Sequence, residues 1–256
     1  MQRNFGLPVP FLVLAAAPLA ACGAEYDTFE LSSELVGDTF RLQAYTPPDL
    51  PSGAPVVVLL DGDFWFRRVA PIHAGIDSAS SAVLVGVGYA TGNARDRDLL
   101  PPEEGGEIAV FIQFIEDELL PELVARYGVT QAREGRCLYG HSNGGFAALW
   151  AALERPELFA GVVAASPNLS TADGLIFDLL DTRAPNAEPT TLRTAVGSLE
   201  TPASITAPHA LLTQRLAEEA PAGLQHDARV FGGLSHSRVV GPAYRWAIAD
   251  CIGGTP

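Results

Sequence analysis

The chain has 256 residues, of which 48% are hydrophobic and 18% charged, so it can bury one α/β core and shows no compositional sign of disorder. Its 16 basic and 30 acidic residues give a formal net charge of −14, which argues against a nucleic-acid partner because such a surface repels phosphate backbones. Every basic residue is arginine, and without lysine Schiff-base, P-loop and protein-kinase chemistry are excluded.

The N-terminus has the features of an export signal. Arg3 precedes an apolar run, Pro8 to Ala21, that is too short and too rich in proline to be a good membrane span, so residues 1–21 are predicted to be a signal peptide. The run ends in Leu19-Ala20-Ala21-Cys22, which resembles the bacterial lipobox, in which the cysteine becomes the lipidated first residue. The alternative is an ordinary secretory signal cleaved near Ala21 or Ala24. Both place the protein outside the cytoplasm, and the first predicts a lipid anchor in the bacterial cell envelope.

Acylation of Cys22 would leave Cys137 and Cys251 as the remaining cysteines. An exported setting permits a disulfide between them. Cys137 falls on a predicted buried strand and Cys251 at the end of the last predicted helix, so two separate buried thiols are the alternative.

Residues 22–38 are expected to be a tether, with a short acidic, flexible stretch at 23–30, and residues 39–256 to form one domain. Two short apolar runs bounded by Gly, Pro and Asp, Val56 to Leu60 and Ala82 to Val87, predict strands buried on both faces of a sheet. The other predicted strands are Phe40 to Thr46, Arg136 to Tyr139, Gly161 to Ala165, Thr191 to Val196 and Gln225 to Phe231. Helical spacing predicts helices at Glu107 to Tyr127, Gly144 to Leu153, Pro202 to Ala220 and Val239 to Ile252.

Strand and helix alternate along the chain, which predicts an α/β fold with a mostly parallel central sheet and helices on both faces. Residues 169–190 fit neither pattern, because Asp, Gly, Pro and Thr interrupt them. They are predicted to form a lid or a rim insertion.

Gly140-His141-Ser142-Asn143-Gly144 matches Gly-x-Ser-x-Gly, the nucleophile elbow of α/β hydrolases. The pattern alone is weak, but here an apolar strand enters it and a helix of small residues leaves it, which is the setting that the elbow requires. The glycines permit the sharp turn and close packing of the helix. We therefore predict that Ser142 is a nucleophile exposed above the carboxyl edge of the sheet.

A serine nucleophile needs a base, and in this fold the chain order is serine, acid, histidine. Of the five histidines, only His209, His226 and His236 follow Ser142. His226 lies inside a predicted strand and His209 on a helix, whereas His236 follows a strand in a glycine-rich loop, where ligand-facing residues of an open α/β sheet lie. His236 is the predicted base.

Glu200 is the predicted acid, because it leaves the strand Thr191 to Val196 through a short turn at the same edge. Its role would be to hold the imidazole in one tautomer and to stabilise the imidazolium. A solvated glutamate at a helix start is the alternative interpretation. The aspartates of the variable stretch, Asp173, Asp178 and Asp181, compete for the role.

Two backbone amides are expected to form an oxyanion hole. The amide of Asn143, at the N-terminus of the helix, is one donor. The second should come from the loop after the strand Val56 to Leu60, with the amides of Asp63 or Phe64 as candidates. A tight Asp-Gly turn is the alternative role of this loop, and both can hold for the same residues.

Several motifs together resemble the putative esterase branch of the α/β hydrolases, which includes catecholate-siderophore esterases, esterase D and mycolyltransferases. They run in the family's order from about Phe40 to the C-terminus. They are 58–63 (Val-Leu-Leu-Asp-Gly-Asp), 85–89 (Val-Gly-Val-Gly-Tyr), 97–101 (Arg-Asp-Leu-Leu-Pro), 118–121 (Glu-Leu-Leu-Pro), 139–145 (Tyr-Gly-His-Ser-Asn-Gly-Gly), 165–167 (Ala-Ser-Pro), 196–200 (Val-Gly-Ser-Leu-Glu) and 234–236 (Leu-Ser-His).

The resemblance implies ester cleavage by Ser142, Glu200 and His236, with Asn143 and the Asp63 region as oxyanion donors. In contrast to the cytoplasmic enterobactin esterases, the protein is expected to have no long N-terminal domain, and no basic cluster for an anionic ferric siderophore is expected in it, which argues against a triscatecholate substrate. The prediction is a serine carboxylic-ester hydrolase acting on a small-molecule ester, without metal or cofactor, held at a membrane through Cys22. An acyltransferase using the same acyl-enzyme and a catalytically silent binding lipoprotein are the alternatives.

Overall fold

A computed structural model describes residues 26–79, 81–184 and 187–253. The predicted signal peptide, Cys22 and the first residues of the predicted tether lie outside the described residues. Among the helices that are described, none has the length and hydropathy needed to cross a membrane.

Eight strands of the described chain form one sheet in the order β1-β2-β4-β3-β5-β6-β7-β8. β1 pairs antiparallel with β2, and β2 with β4, while all other neighbours are parallel. The strands are β1 (Tyr26–Ser33), β2 (Asp38–Tyr45), β3 (Val56–Leu59), β4 (Val83–Tyr89), β5 (Arg136–His141), β6 (Gly161–Ala165), β7 (Thr190–Gly197) and β8 (Leu224–Phe231). The predicted mostly parallel sheet is confirmed.

Helices cover both faces of the sheet, as predicted. They are α1 (Gly62–Ala74), α2 (Arg95–Leu99), α3 (Ile108–Phe114), α4 (Leu120–Tyr127), α5 (Asn143–Glu154), α6 (Leu175–Thr182), α7 (Ala207–Glu218) and α8 (Val240–Gly253). A π-helical turn, Ile115–Leu119, joins α3 to α4, and another, Pro202–Thr206, precedes α7.

The pleat of the strands divides the core into two layers. In β3, Val57 and Leu59 pack with α1 and α8, whereas Val56 and Val58 pack with α3, α4, α5 and α7 on the other face. Side chains alternate between the faces of a strand, so a wholly apolar strand serves both layers. The helices return the chain to the amino edge of the sheet, so the parallel strands all end at the opposite, carboxyl edge, where the loops that follow β3, β5, β6, β7 and β8 lie.

The structure differs from the sequence prediction at residues 22–38. Residues 26–33 of the predicted tether form β1, an edge strand paired along its length with β2. Phe29 and Leu31 alternate with polar residues and pack against the core. Alternation of apolar and polar residues with a period of two is the pattern of a half-exposed strand. Here the alternation covers only a few residues next to an acidic stretch, so it does not distinguish a strand from a flexible segment.

Three helices were not predicted: α1, α2 and α6. In α1, the buried residues Phe66, Val69, Ala70 and His73 have helical spacing that would have revealed it. Part of the region predicted as a lid or a rim insertion, residues 169–190, is α6, whose Ile176 and Leu180 are buried in the core.

Cys137 on β5 and Cys251 on α8 form a disulfide, with their Cα atoms 5.5 Å apart. Of the two alternatives for these cysteines, the structure has the bonded one. The bond links the last helix to a central strand across a sequence separation of 114 residues. Glycine at position 161 leaves the space for it, because a Cβ there would lie 2.2 Å from the carbonyl oxygen of Cys251.

Candidate active site

Three residues at the carboxyl edge of the sheet have backbone conformations that residues other than glycine rarely adopt. Asp61 after β3, Ser142 after β5 and Ser166 after β6 have φ angles of 55°, 61° and 44°. Such conformations cost about 1–3 kcal/mol each and persist where the surroundings impose them. Three of them at one edge therefore mark it as a candidate functional site.

Ser142 occupies the sharp turn between β5 and α5, with φ 61° and ψ −121°. The turn is possible because its flanks have no side chains. A Cβ on Gly140 would lie 1.9 Å from the carbonyl oxygen of Gly144, and one on Gly145 would lie 2.9 Å from that of Ala165. The predicted elbow is thus present in the backbone, and its Ser142 side chain is partly exposed.

His236 and Glu200 come together at the same edge. The Nδ1 atom of His236 lies 2.5 Å from Oε2 of Glu200, although the two residues are far apart in sequence. The carboxylate is buried, whereas the His236 side chain is 42% exposed. The Ser142 hydroxyl makes no hydrogen bond to His236 among the described residues, a looseness that is common between nucleophile and base before substrate binds.

Further hydrogen bonds fix the carboxylate of Glu200. Its Oε1 atom accepts from the Ser166 hydroxyl at 2.6 Å and from the Gly197 amide. Burial alone would raise the pKa of Glu200, but the hydrogen bonds from His236, Ser166 and Gly197 outweigh it and lower the pKa. Glu200 is therefore ionised and held in one orientation. Ser166 was not singled out from the sequence, since only the fold brings β6 beside the loop of Glu200.

Hydrogen bonds to three of its consecutive carbonyl groups hold the loop that carries His236. His141 donates from Nε2 to the carbonyl of His236 at 2.8 Å, and Arg68 donates to the carbonyls of Ser237 and Arg238 at 2.7 and 3.2 Å. The rings of His141 and His236 are 4.4 Å apart. Burial, followed by the nearby His236, lowers the pKa of His141 to about 4, so it is neutral at pH 7. Because a carbonyl only accepts, the proton of neutral His141 must be on Nε2.

We expect the His141→Phe variant, which keeps a ring but loses the donor, to lower kcat roughly 10- to 100-fold, as a misplacement of about 1 Å does. KM should change little, because His141 would act through His236. His141→Gln retains an amide donor near the position of Nε2 and should recover most of the loss. The measurement is steady-state hydrolysis of a p-nitrophenyl ester by both variants. Equal losses in both would contradict this positioning role.

The candidate amides of the oxyanion hole differ in whether they already donate a hydrogen bond within the protein. The Phe64 amide donates to the carbonyl of Asp61 at 3.0 Å, whereas the amides of Asp63 and Asn143 donate to no atom of the described residues. The loop is fixed by Arg95, which binds the buried carboxylate of Asp61 through two hydrogen bonds, 2.9 and 2.8 Å long. This geometry favours Asp63 over Phe64 as a donor.

The other candidate residues lie elsewhere. His209 and His226 both contact the Thr194 hydroxyl at 2.9 Å, in a polar network between β7, β8 and α7. Asp181 is paired with Arg215. Asp173 and Asp178 are exposed, and neither contacts His236. The structure thus places Glu200 beside His236, whereas none of the competing aspartates lies beside it.

Buried neutral histidines predict an acid-sensitive fold. Burial lowers the pKa values of His141, His209 and His226 to about 4, below the value of 6.5 expected in the unfolded chain. The unfolded chain therefore binds more protons between these values, so stability is complete above about pH 6.5 and falls as the pH drops toward 4. For a fully buried histidine the loss is up to about 3 kcal/mol. Urea midpoints at pH 7 and pH 5 test this, and equal midpoints would contradict it.

Residues 32–228 match the model of a family described as "Putative esterase". The chain is 31% identical over 188 residues to ferri-bacillibactin esterase BesA of Bacillus subtilis, covering 60% of this chain and 63% of that one. It is 33% identical over 135 residues to a siderophore triacetylfusarinine C esterase of Aspergillus fumigatus, covering 45% and 44%. The chain thus spans less than two thirds of the length of these relatives.

Among solved structures, the BES protein from Bacillus cereus superimposes with a TM-score of 0.76 at 23% identity, over 96% of this chain and 98% of that chain. At this level of identity the likeness establishes the fold. The resemblance carried by the motifs and the observed fold therefore agree.

Proposed function

We propose that this chain, which belongs to the putative esterase family of the α/β-hydrolase superfamily, is a serine carboxylic-ester hydrolase that forms an acyl-enzyme on Ser142. The observation that carries the proposal is the hydrogen bond between His236 and Glu200 at the edge where Ser142 turns out of the sheet. An ionised carboxylate only accepts, so Nδ1 of His236 donates and Nε2 keeps a lone pair. That lone pair is what a general base needs.

In the first half-reaction His236 takes the proton of Ser142 while the Ser142 oxygen attacks the ester carbonyl. The negative charge on the carbonyl oxygen is met by the amides of Asn143 and Asp63, and removal of one such donor typically costs 10²–10³-fold in kcat. His236 then gives its proton to the departing alcohol, leaving the acyl group on Ser142. Glu200 stabilises the imidazolium that exists between these proton transfers.

In the second half-reaction His236 accepts a proton from water, which attacks the acyl-enzyme. The tetrahedral intermediate collapses, the acid leaves, and His236 returns the proton to Ser142. His141 holds the loop of His236 throughout, and because it is neutral it adds no positive charge beside the imidazolium.

The relatives named for ferri-bacillibactin and triacetylfusarinine C support a small-molecule ester as substrate. The charges around the oxyanion loop favour an uncharged one. Arg95 is paired with Asp61, and Arg41 with Asp63, so neither arginine offers an uncompensated charge to an anion. Uncharged esters should therefore be hydrolysed faster than anionic esters of the same acyl group.

A fluorophosphonate probe tests the nucleophile directly, because it reacts with an activated serine whatever the natural substrate is. A chain-length series of p-nitrophenyl esters then defines the acyl group. Hydrolysis measured with and without an added alcohol separates water from an alcohol as the acceptor. Absence of both labelling and hydrolysis in folded protein would overturn the proposal.

For the location we propose a lipid anchor on Cys22, supported by Leu19-Ala20-Ala21-Cys22 behind an apolar run. We expect Cys22→Ser to move the protein from the membrane fraction to the soluble fraction of cells. A single acyl chain of myristoyl size binds only marginally, so stable anchoring requires more than one. Fractionation in 1 M salt, with mass spectrometry of the N-terminal peptide, is the measurement, and an unchanged membrane fraction would refute the anchor.

A further inference from the structure

Most of the described arginines form ion pairs or hydrogen bonds through their guanidinium groups, but a few do not. Arg67, Arg229, Arg238 and Arg245 are the described arginines whose guanidinium groups make no ion pair or hydrogen bond. All four lie on α1, at the end of β8, or around the start of α8. In a chain with a net charge of −14, cations left without a partner on one side of the fold are unexpected.

Two of these arginines line a groove with apolar walls. Arg229 and Arg245 border a cavity of about 430 Å³, together with Ile72, Phe231 and Trp246, and no carboxylate lines it. The Arg229 guanidinium lies over the Phe231 ring, 5.0 Å from its centre, and Phe231 packs edge-on against Trp246. Phe231 and Trp246 are both partly buried. Arginine beside partly exposed aromatic side chains suits the boundary between an anionic headgroup layer and acyl chains.

The opposite face of the sheet has the opposite charge. The helix made of α3, the π turn and α4 carries acidic residues at 116, 117, 118 and 122, of which Glu116 is paired with Arg155 and Glu122 with Arg126. On α1 and α8 the acids Asp63 and Asp250 are paired with Arg41 and Arg193. Asp227, an exposed acid on the same side of β8 as Arg229, forms no ion pair among the described residues. The sheet and a helix width of about 10 Å separate the two faces. That exceeds the Debye length of ~8 Å at physiological salt, so the acidic face does not cancel the attraction of the arginines.

The start of the described chain lies on the same side as these arginines. The ring of Tyr26 meets the ring of Phe66 on α1 at 5.3 Å, and Phe66 belongs to the core layer under α1 and α8. Cys22 precedes Tyr26 closely, so an extended chain lets it reach at most about 14 Å from this contact. An acyl group on Cys22 would hold the membrane near α1.

We propose that the α1/α8 face, with Arg229, Arg245, Phe231 and Trp246 at its centre, docks on an anionic lipid bilayer. In this orientation the lipid on Cys22 anchors the molecule and the arginines set its tilt. The orientation rests on the proposed lipid anchor, whereas binding to anionic lipid does not. The acidic face points away from the membrane.

The test uses Cys22→Ser protein, so that no acyl chain contributes, and vesicles of phosphatidylcholine with or without phosphatidylglycerol. The variant Arg229→Gln/Arg245→Gln is compared with Arg126→Gln/Arg215→Gln, which removes equal charge from α4 and α7. Each arginine near an anionic surface contributes about fivefold in partitioning, so the first variant should bind anionic vesicles about 25-fold more weakly. The control should stay within about twofold, and 1 M salt should abolish the binding.

Hydrolysis of a soluble ester by all variants verifies their fold and keeps a failure of docking separate from a failure of the esterase proposal. Equal binding to neutral and anionic vesicles would overturn the docking proposal. So would equal losses in the two double variants, or no binding by the Cys22→Ser protein at low salt.

Discussion

Replacing Ser142 by alanine is expected to abolish ester hydrolysis, with a loss in kcat of about 10⁶-fold, and to abolish labelling by a fluorophosphonate. The fold should survive for two reasons. Alanine keeps the Cβ atom, so the backbone at φ 61° is no more strained than with serine. The hydroxyl makes no hydrogen bond within the described residues, so no partner is left unsatisfied. Labelling that persists in the variant would end the Ser142 hypothesis.

Matched histidine variants show whether the loss comes from the catalytic unit. His236→Ala should lose nearly as much as Ser142→Ala, because members of a unit that acts together are not additive. His226→Ala should keep most activity, since His226 contacts Thr194 and not Glu200. A loss confined to His226→Ala would assign the base to β8 instead of the loop that follows it.

The nucleophile elbow at Ser142 and the location of the site at the carboxyl edge of the sheet were predictable, because both depend on local sequence patterns. Gly140 and Gly145 are required where the backbone comes too close for a Cβ, so the turn leaves a pattern in the chain. Glu200 and His236 each follow a strand, and parallel strands bring their carboxyl ends together. Their meeting could therefore be inferred, although the 2.5 Å contact could not.

Residues that act through tertiary contacts could not be found this way. Ser166 reaches Glu200 only because β6 and β7 are neighbours. Arg68 holds the His236 loop from α1, a helix that was not predicted. The arginines of the α1/α8 face are scattered along the chain, and only the fold shows which of them have partners.

Replacing Glu200 by glutamine is expected to lower kcat by about 10⁴-fold while the protein stays folded. In the wild type both carboxylate oxygens accept, one from His236 and the other from Ser166 and the Gly197 amide. The glutamine side chain has one acceptor oxygen, and the Gly197 amide can only donate, so that oxygen must face Gly197. The amino group of the introduced side chain then faces Nδ1 of His236.

An amino group only donates, so it would select the tautomer of His236 that carries its proton on Nε2. That tautomer cannot take the proton of Ser142, and a loss of this kind is about 10⁴-fold in a serine hydrolase whose acid becomes an amide. Labelling by the probe should be slow but measurable, unlike that of Ser142→Ala. Asp173→Asn, Asp178→Asn and Asp181→Asn are the controls and should keep near wild-type turnover, because all three side chains are exposed. Normal turnover in Glu200→Gln with collapse in one aspartate variant would move the acid into residues 169–190.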